Sequence, residues 1–154
     1  MKRAFESFNL AQWKKSWYIF FFQLPFLPEK FVGTEKFFRQ TFEKMSMNKN
    51  AFSEEDVKKY VEAYRQPEMI KSAISYYRAA FRGIFSGVKF PKIKAPVLML
   101  WGEHDLALGK ELTYHTKNYC ESTCEIIYDS TSGHFIQHDN PDLVNRCLLN
   151  FFSA

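Results

Sequence analysis

Apolar positions in the first 90 residues recur at the spacing of a helix, not of a strand. Residues 9–24 (NLAQWKKSWYIFFFQL) place apolar side chains around most of a helical circumference, which predicts a helix buried on several sides. After a proline-containing turn, TEKFFRQTFEKM (34–45) sets Phe37, Phe38 and Phe42 along one helical face. Ser53 and Asp56 have the spacing of a capping box and predict the start of another helix. Val57, Tyr60, Val61 and Tyr64 then fall at i, i+3, i+4 and i+7, and Pro67 closes the run. A further helix from about residue 68 to residue 85 carries Ile70, Ile74, Tyr77, Phe81 and Ile84 on one stripe. This half of the chain reads as all-helical.

The pattern changes at PKIKAP (91–96). VLMLWG (97–102) is a short, continuous apolar run, as expected of a strand covered on both faces. A helix over roughly 109–121 is predicted next, then a second strand, CEIIYDS (124–130), and the loop TSGHFIQHDN. The last helix is opened by Asn140 as N-cap with Pro141 in its first turn. Strand, helix, strand, helix is the alternation of a parallel sheet, so the fold class is α/β, with the two-stranded part preceded by a helical region. The division falls at 93/94, giving a helical domain over 1–93 and an α/β part over 94–154. Two parallel strands bury too little surface to stand alone. The second part is therefore expected to be the end of a larger α/β domain. Leu98, Leu100, Ile126 or Ile127 should be conspicuously exposed, and the isolated chain should be prone to aggregate.

Composition adds an asymmetry to that division. Of the 154 residues, 46% are hydrophobic and 17 are phenylalanine, which is a globular composition. The net charge of +4 conceals a basic stretch over 1–94, with 18 Lys/Arg against 9 Asp/Glu, and an acidic one over 95–154, with 3 against 8. The basic half reads either as a solvated surface or as a face resting near anionic lipid headgroups. No basic stripe accompanies a nucleic-acid-binding motif, so nucleic acid is not an expected partner. Cys120, Cys124 and Cys147 lack metal-ligand spacing and read as buried or free thiols, and no metal or cofactor is called for. WYIFFFQLPFLP (17–28) is the most apolar stretch. It is too short to span a bilayer and is interrupted by Gln23, Pro25 and Pro28, and no signal-peptide pattern opens the sequence.

The chemistry is concentrated where the strands end. Asp105 follows the first strand and His134 the second, and in a parallel sheet both loops emerge on one edge, so 29 residues of separation become adjacency. An acid followed by a histidine is the back half of a nucleophile–acid–base triad on an α/β scaffold. The carboxylate accepts a hydrogen bond from one ring nitrogen, fixes the tautomer and leaves the other nitrogen basic enough to activate water. His104 and His138 read as solvated or helix-start residues, and His115 has no assigned role. The attacking group should sit earlier, on a strand-to-helix elbow. The nearest string, GIFSG (83–87), has its serine fourth instead of third and closes a helix.

These segments resemble the α/β-hydrolase superfamily, and within it the epoxide hydrolases of the membrane-anchored branch. APVLMLWGEHDLAL and SGHFIQHDNPDLVNRCLLNFF are similar to that family's P-x-L-x-L-W-G-x-x-D and G-H-[W/F]-x-Q-x-[D/E]-x-P segments. SWYIFFFQLP and ISYYRAAF resemble the two conserved segments of its helical cap, so the match runs from about residue 8 to the end. The resemblance implies that His134 is the general base and Asp105 its orienting acid. It also implies that Tyr18 and Tyr77 are the cap tyrosines that hydrogen-bond an epoxide oxygen. Phe135 stands where many members carry tryptophan. The family's aspartate nucleophile and oxyanion-hole segment belong to an N-terminal half that these 154 residues do not contain. The chain is expected to be the cap plus the C-terminal part of the core, inactive alone. Its full-length form would open lipophilic epoxides to diols through an aspartyl ester, with membrane association at the endoplasmic reticulum. The alternatives are a serine-type ester or thioester hydrolase, or a non-catalytic protein holding a lipid-like ligand.

Overall fold

Helices form at the apolar stripes read over 34–45, 57–64 and 68–85. The helix predicted over 9–24 is corrected: its described part holds the short helix Trp17–Phe21, with Trp17 (64%) and Phe20 (41%) exposed, and a further helix, Leu27–Val32, occupies the proline-containing turn. The structure, a computed structural model, describes residues 14–66, 68–84 and 91–153. Residues 9–13, Pro67 and most of GIFSG lie outside the described residues. The chain divides into two compact units, one of Met1–Lys44 with Phe52–Val88 and one of Met45–Ala51 with Lys89–Ala154. Sequence pattern draws its line at 93/94 and gives no sign that the short stretch 45–51 packs with the second unit. No helix among the described residues is long and apolar enough to cross a membrane.

The first unit holds α1 (Trp17–Phe21), α2 (Leu27–Val32), α3 (Glu35–Met45, whose last residue packs with the second unit), α4 (Glu54–Tyr64) and α5 (Met69–Ile84). The start of α4 is the capping box read from the sequence: the Asp56 amide donates to Ser53 Oγ at 3.1 Å, and the Ser53 amide donates to Asp56 Oδ2 at 2.9 Å. The predicted stripes are buried at their centres, while Tyr60 is exposed and Phe37, Tyr64, Ile70, Tyr77 and Phe81 are half-buried. Phe38 and Phe42 of α3, Val57 and Val61 of α4 and Ile74 of α5 are all buried, Ile74 most completely at 1% exposure. Phe22, Val32 and Ile74 form a packed cluster with Tyr18, Phe21, Phe37, Ile70 and Tyr77 around it. Arg78 ties α5 to the chain leading into α2. Its guanidinium donates to the carbonyls of Phe22 (2.9 Å) and Leu24 (2.6 Å) and pairs with Glu29 at 2.6 Å.

The second unit contains β1 (Val97–Gly102), β2 (Cys124–Asp129), α6 (Ile136–Asp139) and α7 (Pro141–Ser153). The strands pair in parallel, in register from Val97↔Cys124 to Gly102↔Asp129. An isolated parallel bridge joins Ile93 and Cys120 ahead of them. Asn140 caps α7 as expected, accepting the Leu143 amide at 3.2 Å. Two expectations are corrected. In place of an α-helix over about 109–121 the chain makes two short 3₁₀ turns, Lys110–Thr113 and Thr116–Tyr119. Thr113 Oγ1 donates back to the Lys110 carbonyl at 2.7 Å, a local bond that competes with the helical ladder, and β-branched threonines fit that ladder poorly. The loop after Gly133 also contains the short helix α6. The strand side chains Leu98, Leu100, Ile126 and Ile127 are half-buried, short of the conspicuous exposure expected of them. Among the described residues of this unit, Leu149 and Phe152 on α7 are the apolar groups left most open, at 69% and 80%. The three cysteines are free and half-buried.

Candidate active site

Because β1 and β2 are parallel and in register, the turns after Gly102 and Asp129 leave the sheet side by side. Asp105 stands in the first turn, buried to 7% exposure. Its Oδ1 accepts the amides of Ala107 (2.7 Å) and Leu108 (2.9 Å), an Asx-type turn that fixes the carboxylate plane. Its Oδ2 then faces His134 Nδ1 at 2.9 Å. Burial pushes the Asp105 carboxyl up, but the bond from His134 and the two amide donors outweigh it, so its pKa lies below the ordinary value. A deprotonated carboxylate at Nδ1 places the ring proton there and leaves Nε2 as the basic nitrogen. The His134 side chain is about one-third exposed, with Phe135 edge-on to its ring at a centroid distance of 5.1 Å.

The backbone that carries His134 is built by groups that the sequence does not advertise. Asp129, at the end of β2, accepts the Thr131 backbone amide (3.0 Å) and hydroxyl (2.8 Å), the buried Ser132 hydroxyl and the Asn140 side-chain Nδ2 (3.1 Å). Burial raises its pKa, and these donors more than reverse the effect. The two turns are stitched together by the Glu103 amide on the Asp129 carbonyl (2.9 Å) and the His104 amide on the Ser132 carbonyl (3.0 Å). Gly102 is required by that approach, since a Cβ there would lie 2.1 Å from the Gly133 carbonyl oxygen. Gly133 is likewise required, because its Cβ would lie 2.4 Å from the Met45 carbonyl, the group that accepts the His134 amide at 3.0 Å.

Both pairs of candidate side chains assemble within their own units. In the helical unit Tyr18 and Tyr77 meet edge-to-face, with ring centroids 6.1 Å apart at 85°, and each packs on Phe22. Burial, followed by neighbouring Tyr64 and Tyr76, pushes the Tyr77 phenol up, which keeps it a proton donor at neutral pH. His104 and His115 are exposed and distant in role from the pair at 105 and 134. Among the described residues no cluster of histidine, cysteine and carboxylates could hold a metal ion. Sequence reasoning missed Asp129, Ser132 and the 45–51 stretch, and gave no role to Asp139, which fills the [D/E] position of the G-H-[W/F]-x-Q-x-[D/E]-x-P segment. The string DSTSG carries the Asx and Ser/Thr turn signal that could have marked the first two, whereas no local pattern announces Met45.

No protein-family model matches the chain. It is 34% identical over 144 residues to the AB hydrolase superfamily protein YfhM of Bacillus subtilis, a match that covers 91% of this chain and 49% of that protein. It is 30% identical over 147 residues to Epoxide hydrolase 4 of Homo sapiens, covering 92% of this chain and 40% of that one. A crystal structure of the Bacillus megaterium epoxide hydrolase with an inhibitor superposes with a TM-score of 0.77 at 22% identity, covering 96% of this chain and 55% of its own. The fold is part of an α/β-hydrolase fold. The α/β-hydrolase-like chain spans about half the length, or somewhat less, of the curated relatives it matches.

Proposed function

We propose that this chain supplies the cap and the water-activating half of an epoxide hydrolase, with residues 1–93 as the cap and 94–154 as the C-terminal part of the catalytic core. The observation that carries the reading is the 2.9 Å bond between buried Asp105 and His134 at the ends of parallel strands. The Tyr18–Tyr77 pair narrows the reading to epoxides. A carboxylate nucleophile, supplied from outside these 154 residues, attacks an epoxide carbon. The C–O bond breaks, and the oxygen leaving as an alkoxide takes a proton from one of the two phenols. Water then attacks the ester carbonyl and gives its proton to His134 Nε2, while Asp105 stabilises the imidazolium. The tetrahedral intermediate collapses with cleavage of the ester C–O bond, and the expelled oxygen takes the carboxyl proton, so that a vicinal diol leaves and the carboxylate is restored. The imidazolium proton returns through solvent to the phenolate. Aromatic lining of the helical unit favours lipophilic substrates, and the basic balance of residues 1–94 supports contact with anionic lipid surfaces.

The test joins this chain to the upstream half of an epoxide hydrolase relative and follows a lipophilic epoxide. Diol should form, and His134→Gln should stop turnover while the intact protein gains the mass of the alkyl ester. Asp105→Asn should slow the same ester hydrolysis. The 154 residues alone should form no diol above background. A His134→Gln protein that never becomes alkylated, or a joined protein that leaves epoxides intact, overturns the reading.

A further inference from the structure

Asp139, the last residue of α6, folds its carboxylate back over the loop that precedes its own helix. Its Oδ2 accepts the Gly133 amide at 2.7 Å, and its Oδ1 accepts the Asn48 amide at 3.0 Å. The residue after Gly133 is His134, whose amide donates to the Met45 carbonyl at 3.0 Å. The peptide carrying the imidazole is thus held on one side by a carboxylate and on the other by a carbonyl of the 45–51 stretch. The carboxylate fastens that stretch to the loop as well. Asn48 is itself ordered, its Oδ1 accepting the Asn50 amide at 2.9 Å.

We propose that Asp139 is a positioning residue for His134: by accepting the Gly133 and Asn48 amides together it fixes the backbone from which the imidazole reaches Asp105. The assignment rests on the reading of His134 as the base. Its chemistry is specific to a carboxylate. Both partners are N–H donors, so both oxygens must accept. An asparagine offers one acceptor and turns an NH₂ toward the other amide, leaving a donor facing a donor. The exclusion of any side chain at Gly133 belongs to the same device, because the Met45 carbonyl occupies the space that a Cβ would need. Asp142, three residues on and exposed at the start of α7, provides an internal comparison of equal charge.

The experiment labels the full 154-residue chain with diethyl pyrocarbonate and reads the rate at each of its four histidines by peptide mass spectrometry. Asp139→Asn should raise labelling of His134 several-fold relative to His104, His115 and His138, because the half-buried ring is released from Asp105. Asp139→Glu, which keeps two acceptors, should return His134 towards its original rate, and Asp142→Asn should leave all four rates unchanged. Unchanged His134 labelling in Asp139→Asn overturns the proposal. A uniform rise at all four histidines also overturns it, since Asp139 is then a general stabiliser, as does failure of the glutamate to restore protection. Labelling reads the backbone clamp without turnover, so an inactive joined enzyme with selective His134 labelling would sink the hydrolase reading and leave the clamp standing.

Discussion

The two units bury opposite kinds of group. The buried residues of the helical unit are almost all apolar: Ile19, Phe22, Val32, Phe38, Phe42, Val57, Val61 and Ile74. Among the described residues of the α/β unit, Ala107 is the only buried apolar side chain in a set otherwise made of Ser46, Asp105, Thr113, Asp129 and Ser132. The first unit is held mainly by packing, with Arg78 and Glu29 as its half-buried polar tie, the second by hydrogen bonds around two buried carboxylates. Packing tolerates small displacements and gives bulk stability. A hydrogen-bonded turn tolerates little displacement and gives position, which an acid–base pair at 2.9 Å requires. Positional accuracy and cohesion are supplied by different parts of one short chain.

The largest expected effect tests cohesion. Ile74→Ala empties the best-buried site in the helical unit and should cost about 2–5 kcal/mol. Leu100→Ala in half-buried β1 should cost well under half of that, since less contact is lost and solvent already reaches the site. Denaturant unfolding followed by amide exchange in α5 and β1 measures both. Equal costs would show that the sheet has a core of its own and would break the contrast.

One substitution type should change sign between the units. Gly102→Ala drives a Cβ into the Gly133 and Ser132 carbonyls, 2.1 and 2.6 Å away, and should cost about 1–3 kcal/mol or prevent the Asp105–His134 bond from forming. Gly83→Ala in α5 meets no atom within 4 Å and should gain about 0.5–1 kcal/mol from helix propensity. Paired thermal unfolding of the two variants checks the sign. A stabilising Gly102→Ala would mean that the turns are not pressed together as described.

Acid should separate the units next. Asp105 and Asp129 both have pKa values below the ordinary carboxylate range, because their hydrogen-bond donors outweigh the opposing cost of burial. A depressed carboxyl contributes stability that is present above its unfolded pKa and is lost as pH falls through the lower folded value. Protection of β1 and β2 amides should therefore drop on acidification before that of α3 and α4, whose buried contacts are apolar and whose own lowered carboxyl, Glu54 beside Arg39, is exposed and screened by water. Asp129→Asn should make the sheet less acid-sensitive although less stable at neutral pH. Loss of helical protection first would contradict the assignment of the two kinds of cohesion.

What could be read in advance follows the same contrast. The helices α3, α4 and α5 were legible because the stripe that predicts each is the stripe it buries, as with Val57 and Val61 or Ile74 and Tyr77. Asp105 and His134 were legible because parallel topology turns sequence distance into proximity, and the 2.9 Å bond joins them. The 3₁₀ turns were not, because Thr113 diverts its hydroxyl to a backbone carbonyl, a competition that periodicity does not register. The task of Asp139 was not, although the motif marks its position, because its partners at Gly133 and Asn48 lie 6 and 91 residues away and one of them belongs to a segment that interrupts the helical unit. Long-range hydrogen bonds between backbone and side chain leave no composition signal.

The smallest expected effect sharpens the comparison from the helical side. Ser53 is a hydrogen-bonded device on the surface of the helical unit, an N-cap whose Oγ accepts the Asp56 amide while Asp56 Oδ2 accepts the Ser53 amide. Unlike the Asp105 turn it is exposed, so water can replace either partner when one is removed. Ser53→Ala should therefore cost about 1 kcal/mol, typical of a lost cap, and Ser53→Asp, which retains an acceptor, should recover part of it. The loss should appear as faster amide exchange in the first turn of α4, with Val57 and Val61 still buried. Asp105→Asn is the matched change in the other unit: it also weakens one local turn, but at a buried group whose second oxygen holds His134. If Ser53→Ala proved as costly as Asp105→Asn, burial would not be what makes the α/β unit's hydrogen bonds expensive to break, and the division of labour between the two units would have to rest on packing alone.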